Sequence, residues 1–230
     1  MSEFINIAID GPAGAGKSTI AKAIAKKKKY IYLDTGAMYR SFALFLLKNG
    51  FDLKLKDADG YLQSMVDEYL DKFELDIKYD ADGQHVVVNG EDYTNYIRTP
   101  DVTAVSSAVA SVPALRLKLV EIQRKIASEN NVVMDGRDIG TYVLKDAAVK
   151  IFLTATAEER AKRRYDELRA GGSAVSYDAI YNDMLERDRF DSSRSMAPLR
   201  CAEDAVAVDS TKMSLDEVIE AILKITEAKL

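Results

Sequence analysis

Eight consecutive residues, Gly11-Pro12-Ala13-Gly14-Ala15-Gly16-Lys17-Ser18, constrain this chain more than any other stretch. They match G-x-x-x-x-G-K-[ST] at every fixed position. Before them runs Phe4-Ile5-Asn6-Ile7-Ala8-Ile9, a β-branched segment that stops at Asp10 and reads as a buried strand. After them Ser18 to Lys29 reads as a helix with Ile20, Ala21, Ile24 and Ala25 on one face. A loop whose backbone N–H groups converge on phosphate oxygens must exclude bulky side chains and adopt positive φ cheaply. The helix behind such a loop points its N-terminus at the anion. On this reading the stretch from Gly11 through Thr19 cradles the phosphates of a nucleoside triphosphate. Lys17 reaches the β- and γ-phosphates, and the Ser18 hydroxyl is offered to Mg²⁺. An accidental Gly-rich turn would not need a strand before it and a helix after it.

The rest of the chain repeats the same alternation. Tyr30-Ile31-Tyr32-Leu33 reads as a second strand ending at Asp34-Thr35-Gly36, followed by a helix from Met38 to about Lys48. Strand, loop, helix, twice over, points to an α/β fold with a parallel sheet. Between about Asp57 and Arg98 the period changes. Phe73, Leu75, Ile77 and Tyr79 alternate with charged residues, and Asp82-Gly83 precedes Val86-Val87-Val88, a hairpin signal. Helical pattern resumes from Val102 to Glu129, with a break expected near Pro113. Later strands are expected at Asn131 to Met134, Val149 to Leu153 and Ala205 to Val208. Two charged helices, from Ala157 to Arg169 and from Tyr177 to about Arg189, flank Gly171-Gly172. Ser214-Leu215-Asp216-Glu217 has the form of a capping box for a last helix whose core face would carry Leu215, Val218, Ile219 and Ile222. The short polar motifs follow the strands, where an open parallel sheet delivers its functional residues.

The expected architecture is therefore a three-layer α/β fold of the P-loop nucleotide-binding class, a parallel sheet flanked by helices. A small antiparallel insertion and a short basic helical lid are added to it. The core is expected at 1–56, 99–155 and 195–230, the insertion at about 57–98, and the lid at about 156–194.

Composition narrows the partners. With 32 basic and 37 acidic residues the net charge is −5, which argues against a nucleic-acid polymer as ligand. The one cysteine, Cys201, permits neither an intramolecular disulfide nor a cysteine-based zinc site, which fits a reducing cytoplasm. No run of 18 apolar residues occurs and Met1 to Asp10 lacks a signal-peptide pattern, so no membrane is expected.

Three groups of residues point to a second anion. Thr35 and Arg40 straddle a loop-to-helix junction after the second strand, and a hydroxyl with a guanidinium there suits an acceptor phosphate. Alone, the pair would equally serve as a helix cap and a surface arginine. Asp135-Gly136-Arg137-Asp138 follows a buried strand. There Asp135 is a candidate to support Mg²⁺ through water, Arg137 to face phosphate and Asp138 to face a polar acceptor group; the bland alternative is a local ion pair. Arg187, Asp191 and Arg194, spaced four and three, share a face if their helix continues. They form either a phosphate clamp with a sugar-hydroxyl acceptor or a solvated salt-bridge face. Arg160, Arg163, Arg164 and Arg169 precede them, and a basic lid would supply positive charge and exclude water during phosphoryl transfer. His85, the sole histidine, is assigned no chemistry.

Taken together, the phosphate loop, Asp34-Thr35-Gly36-Ala37-Met38-Tyr39-Arg40, Gly90-Glu91-Asp92, Ile97-Arg98-Thr99, Asp135-Gly136-Arg137-Asp138-Ile139-Gly140-Thr141, Glu186-Arg187-Asp188, Ala197-Pro198-Leu199 and Asp209-Ser210-Thr211 resemble the bacterial cytidylate kinases. The resemblance runs in order along nearly the whole chain. It implies transfer of the γ-phosphoryl of ATP to CMP or dCMP with Mg²⁺, by a monomer. It implies that Thr35, Tyr39 and Arg40 hold the acceptor nucleotide, and that Ser107, Arg116 and Asp138 read the cytosine ring. Arg137, Arg187 and Arg194 match the phosphate-binding arginines, Asp191 the carboxylate at the sugar hydroxyls, and Arg163 the lid arginine against adenine. Thr35 stands where serine is common, and Lys26 to Lys29 lack the usual glycine before the second strand; neither departure touches the chemistry.

Transfer would be direct and in line. The acceptor is a phosphate oxygen, so positioning and charge neutralisation by Lys17, Arg137, Arg187 and Arg194 carry catalysis without a strong general base. The rivals are a kinase of the same fold with another small acceptor, such as a different nucleoside monophosphate or shikimate, and a regulator that binds or slowly hydrolyses ATP. A GTPase is disfavoured because no Asn-Lys-x-Asp segment is present.

Overall fold

The computed structural model describes residues 3–55, 58–81 and 83–230. Asp57, at the expected start of the insertion, and Asp82, in the expected hairpin turn, lie outside the described residues. In chain order the elements are β1 (Asn6–Asp10), α1 (Lys17–Lys28), β2 (Ile31–Asp34), α2 (Thr35–Lys48), α3 (Tyr61–Tyr69), β3 (Leu75–Asp80), β4 (Gly83–Val88) and β5 (Glu91–Asp92). Then follow α4 (Pro100–Val109), α5 (Pro113–Glu129), β6 (Val132–Gly136), β7 (Val149–Thr154), α6 (Ala157–Ala170), α7 (Tyr177–Ser193), β8 (Val206–Asp209) and α8 (Leu215–Lys229). The chain divides into two units, Met1–Tyr32 with Ile126–Leu230, and Leu33–Lys125.

In the first unit β1 is paired in parallel with β6 on one side and β7 on the other, and the sheet order is β2-β6-β1-β7-β8. Ile7, Ala8 and Ile9 are all buried, so the middle of β1 is covered on both faces and reads as an unbroken apolar run. Ile7 and Ile9 of β1, Ile151 and Leu153 of β7, Ile20 and Ile24 of α1, and Val218, Ile219 and Ile222 of α8 form one buried cluster. Each such side chain contributes about 1.5–3 kcal/mol by leaving water. The capping box of α8 is present, with Ser214 and Glu217 bonded reciprocally. Leu215, expected on the core face, is exposed instead. A helical side chain leans toward the N-terminus, so the first residue projects past the helix end rather than onto the sheet. Thr226 is buried on that helix, its hydroxyl donating to the Ile222 carbonyl at 2.7 Å.

The missing glycine before β2 has a local consequence. Lys29 adopts φ 59°, and the Lys29 and Tyr30 N–H groups turn back onto the last carbonyls of α1. That closure is the left-handed cap usually given to glycine, because a Cβ is disfavoured there. Lys29→Gly should therefore raise unfolding stability, by about 0.5–1 kcal/mol. Urea denaturation of the two proteins reads this directly; a loss of stability would mean that the lysine contributes more than its backbone costs.

In the second unit α2 begins at Thr35, three residues earlier than the apolar pattern indicates, because Asp34 caps it through the Ala37 N–H at 2.9 Å. The hairpin expected from period-two alternation is β3 against β4, and β5 adds a third antiparallel strand. Val86 and Val88 of β4 are buried, as is Phe73, which packs edge-on to Phe42 of α2. His85 is bracketed by Asp80 and Asp92, each 2.9 Å away, which holds its pKa above the usual value. The short helix α3 gave no sequence signal because it buries a single residue, Val66. The break at Pro113 is present: α4 and α5 meet at 98°. No single helix among the described residues is long and apolar enough to cross a membrane.

Candidate functional site

The phosphate loop leaves β1 with Gly11 at φ 150° and enters α1 through Gly16 at φ 86°. Gly16 caps α1 without any side-chain bond, so the first N–H groups of that helix are available to an anion. Lys17 is buried and its ammonium donates to the Pro12 carbonyl across the loop at 2.6 Å. Burial first, and then the Arg137 guanidinium, lower its pKa well below the ordinary lysine value, against the pull of Asp135, Asp10 and Asp191. The Ser18 hydroxyl donates to Asp135 Oδ2 at 3.0 Å, and the Tyr32 hydroxyl donates to Asp135 Oδ1 at 2.8 Å. The carboxylate at the end of β6 is thereby aimed at the start of α1, which follows from the β1–β6 register, Ile9 opposite Asp135.

Beside it, Arg137 Nε donates to Asp191 Oδ2 at 2.8 Å, and an Arg194 terminal nitrogen lies 3.0 Å from Asp191 Oδ1. Burial pushes the Asp191 carboxyl up, but the Arg137, Arg194 and Arg187 guanidinium groups outweigh it and hold the pKa below the usual range. The shared helix face holds for Arg187 and Asp191 only. Helix α7 ends at Ser193 and Arg194 has extended backbone, so Arg194 reaches Asp191 by folding back from the helix end. Asp138 is buried next to this cluster in sequence, opening a π-helical turn, Ile139–Val143.

The basic helices are not uniformly solvated. Arg160 of α6 is buried, donating to the Ala155 carbonyl and, at 2.9 Å, to the Ala13 carbonyl of the phosphate loop, and it pairs with Asp188 of α7 at 2.6 Å. It ties three segments together rather than facing a ligand. Arg163 donates to the Ser210 hydroxyl and carbonyl, which places it against the Asp209-Ser210-Thr211 loop. Arg164 pairs with Glu167, and Arg169 lies over the Tyr165 ring.

In the second unit Asp34 is a hub that no motif announced as one. It accepts from Arg40 at 3.0 Å and from Arg98 at 2.9 Å. Burial raises its pKa, and Arg40, Arg98 and the Ala37 amide together lower it further, leaving it below the usual value. Thr35 is buried at the first residue of α2. Arg116 is 1% exposed, its guanidinium 5.7 Å from the Tyr39 ring centre and donating to the Ala110 carbonyl. Ser107, on α4, donates to the Thr103 carbonyl at 3.4 Å.

A family model described as Cytidylate kinase matches residues 7–228. The chain belongs to the cytidylate kinase family. Among curated relatives, the protein named "Cytidylate kinase" of Caldicellulosiruptor saccharolyticus is 50% identical over 221 residues, 96% of this chain and 95% of that protein. Its counterpart from Carboxydothermus hydrogenoformans is 48% identical over 225 residues, 98% of each chain. Among solved structures, an uncharacterized protein from Eubacterium ventriosum aligns over 98% of this chain and 99% of its own at 15% identity, with a TM-score of 0.52, a likeness of fold alone.

Within this cytidylate kinase chain, motif reading passed over Asp10, Asp34, Tyr32 and the inward role of Arg160. Asp10 and Asp34 share a signal that was available: each is an acidic residue ending a strand of apolar pattern, where a sheet of this kind places its working groups. Tyr32 and Arg160 carried no such signal, since only the pairing of distant segments directs them inward.

Proposed function

We propose that this chain transfers the γ-phosphoryl of ATP to CMP or dCMP, giving ADP and CDP or dCDP, in the cytoplasm and as a monomer. The observation that carries the reading is a second cationic cluster adjoining the phosphate loop. Arg137 lies near enough to Lys17 to depress its pKa, and Arg194 joins Arg137 on Asp191. A regulator that only binds ATP needs no such cluster; a transferase must neutralise donor and acceptor phosphates together.

On this reading Lys17 leaves the Pro12 carbonyl for the β- and γ-phosphates, and the loop from Gly11 to Thr19 holds them through its backbone N–H groups, Pro12 having none to offer. Arg137, Arg187 and Arg194 neutralise the acceptor phosphate and the moving phosphoryl, and Asp191 meets the sugar hydroxyls. Thr35, Tyr39 and Arg40 hold the acceptor nucleotide, while Ser107, Arg116 and Asp138 read the cytosine edge. Arg163 stacks on adenine from the lid at 156–194, and the segment 57–98 is the acceptor-side insertion. The Ser18 hydroxyl and Asp135 carboxylate, 3.0 Å apart, are the hard oxygen donors Mg²⁺ prefers. Among the described residues no group of three or more carboxylate, histidine or cysteine ligands converges, so the triphosphate and water would complete the shell. Bound there with ATP, Mg²⁺ would withdraw charge from the phosphate oxygens.

The test is ADP release from ATP and Mg²⁺ with CMP, dCMP, UMP, AMP and GMP in turn. Strong release is expected with CMP and dCMP, weak release with UMP and none with purines. Preference for another acceptor would keep the phosphotransferase and discard the cytosine assignment. Acceptor-independent behaviour in well-folded protein would favour the regulator.

A further inference from the structure

Asp10 ends β1 one residue before the phosphate loop, and the transfer scheme above gives it nothing to do. It is 4% exposed. Its two oxygens accept separate backbone bonds, Oδ1 from the Ile139 N–H at 2.8 Å and Oδ2 from the Gly140 N–H at 2.7 Å. These are the first two amides of the π-helical turn Ile139–Val143, and Ile139 follows Asp138 directly. The turn is closed at the same residue, since the Asp138 carbonyl accepts from Tyr142 and Val143 at 2.9 and 3.1 Å. At Gly140 the turn also lies close to the Lys150 side chain. A Cβ added to Gly140 would lie 3.1 Å from Lys150 Cδ and 3.4 Å from Asp10 Oδ2. Burial raises the Asp10 pKa to about 6, against the two amides that lower it. A desolvated carboxylate is costly to keep in a strand, where an apolar residue would pack.

We propose that Asp10 is a positioning residue: its carboxylate pins the 139–143 turn to the end of β1, and so sets Asp138 and Arg137 in register with the phosphate loop for acceptor recognition. The proposal rests on the (d)CMP kinase reading given above. The chemistry requires both oxygens to accept. Asparagine offers one acceptor, and its amide N–H₂ faces the second backbone N–H, so the turn must shift. Displacements of about 1 Å in a positioning element can cost on the order of 10²-fold in turnover.

The experiment measures kcat and KM for CMP and UMP, and KM for ATP, in the parent protein, Asp10→Asn and Gly140→Ala. The ratio of kcat/KM for CMP over UMP does not depend on how much of each preparation is folded. It is expected to fall by about fivefold or more in both variants, with KM for ATP within about twofold of the parent. A ratio unchanged in Gly140→Ala and in folded Asp10→Asn overturns the proposal; should Asp10→Asn not fold, Gly140→Ala decides alone. If the parent protein releases no ADP in response to CMP, the functional reading fails instead. Amide hydrogen exchange at Ile139 and Gly140 in Asp10→Asn then tests the anchor: faster exchange supports it and unchanged exchange overturns it.

Discussion

Lys17→Ala should lower kcat/KM for phosphoryl transfer by about 10²–10³-fold or more, while the protein unfolds at the same temperature as the parent or higher. The first half follows from charge. Phosphoryl transfer offers little covalent work to the protein, so removing the ammonium at the bridging oxygens removes transition-state stabilisation outright. The second half follows from burial. The Lys17 ammonium is enclosed and its pKa is depressed, chiefly by desolvation and then by Arg137. A base whose folded pKa lies below its unfolded value costs stability while it is protonated, and that cost fades as pH rises toward the unfolded pKa. At neutral pH the alanine variant is relieved of it, offset by the lost bond to the Pro12 carbonyl. The lysine is thus held in an unfavourable place that ATP phosphates would make favourable. Steady-state kinetics with thermal unfolding of both proteins checks this, and turnover near the parent level in folded Lys17→Ala would remove Lys17 from the mechanism.

Gly11→Ala should be among the most destabilising single-methyl changes available in this chain, at about 2–6 kcal/mol. Two independent costs add. Gly11 adopts φ 150°, in a region that L side chains rarely enter, for which about 1–3 kcal/mol is typical. Its Cβ would also sit 1.9 Å from the Leu153 carbonyl oxygen. That neighbour is backbone of β7, which is locked in the sheet beside β1, so it cannot swing aside as a side chain would. Overpacking of this kind costs about 1–3 kcal/mol more. By contrast a Cβ on Gly16 would meet nothing within 4 Å. Its own positive φ remains, so Gly16→Ala should be less destabilising than Gly11→Ala. Urea midpoints of the two variants order them; equal losses would show that backbone conformation rather than the Leu153 contact governs.

Much of the site was legible because its residues obey local rules. The phosphate loop needs its glycines and its lysine at fixed spacing, and apolar runs on either side identify the strand and helix that aim it. The polar motifs at Asp34, Asp135 and Asp209 follow strand patterns, so their placement at the ends of a parallel sheet could be anticipated. The hairpin and the last helix announced themselves by period-two alternation and a capping box. What resisted reading was partnership. Arginines at 137, 160, 163 and 194 look alike in a sequence. Only the folded chain sends Arg160 inward to the Ala13 carbonyl, Arg163 to Ser210, and Arg137 with Arg194 onto one carboxylate. Helix periodicity could place Arg194 only on the condition that the helix continues, and α7 ends one residue sooner, so its meeting with Asp191 is made by the chain folding back.

By itself, then, the amino-acid sequence determined the fold class, the phosphate loop and the positions where chemistry would sit. Each of those is decided by neighbours within a few residues: φ preference at glycine, apolar period, capping. Tertiary structure alone decided which charges neutralise one another, and whether a buried carboxyl is pushed up, as at Asp10, or held down, as at Asp34. Asp10 on the Ile139–Gly140 amides, Asp34 between Arg40 and Arg98, and Asp135 between Ser18 and Tyr32 join segments from 6 to 130 residues apart. A buried charge is stabilised by whatever surrounds it in space, and that is set by packing of the whole chain rather than by any local run.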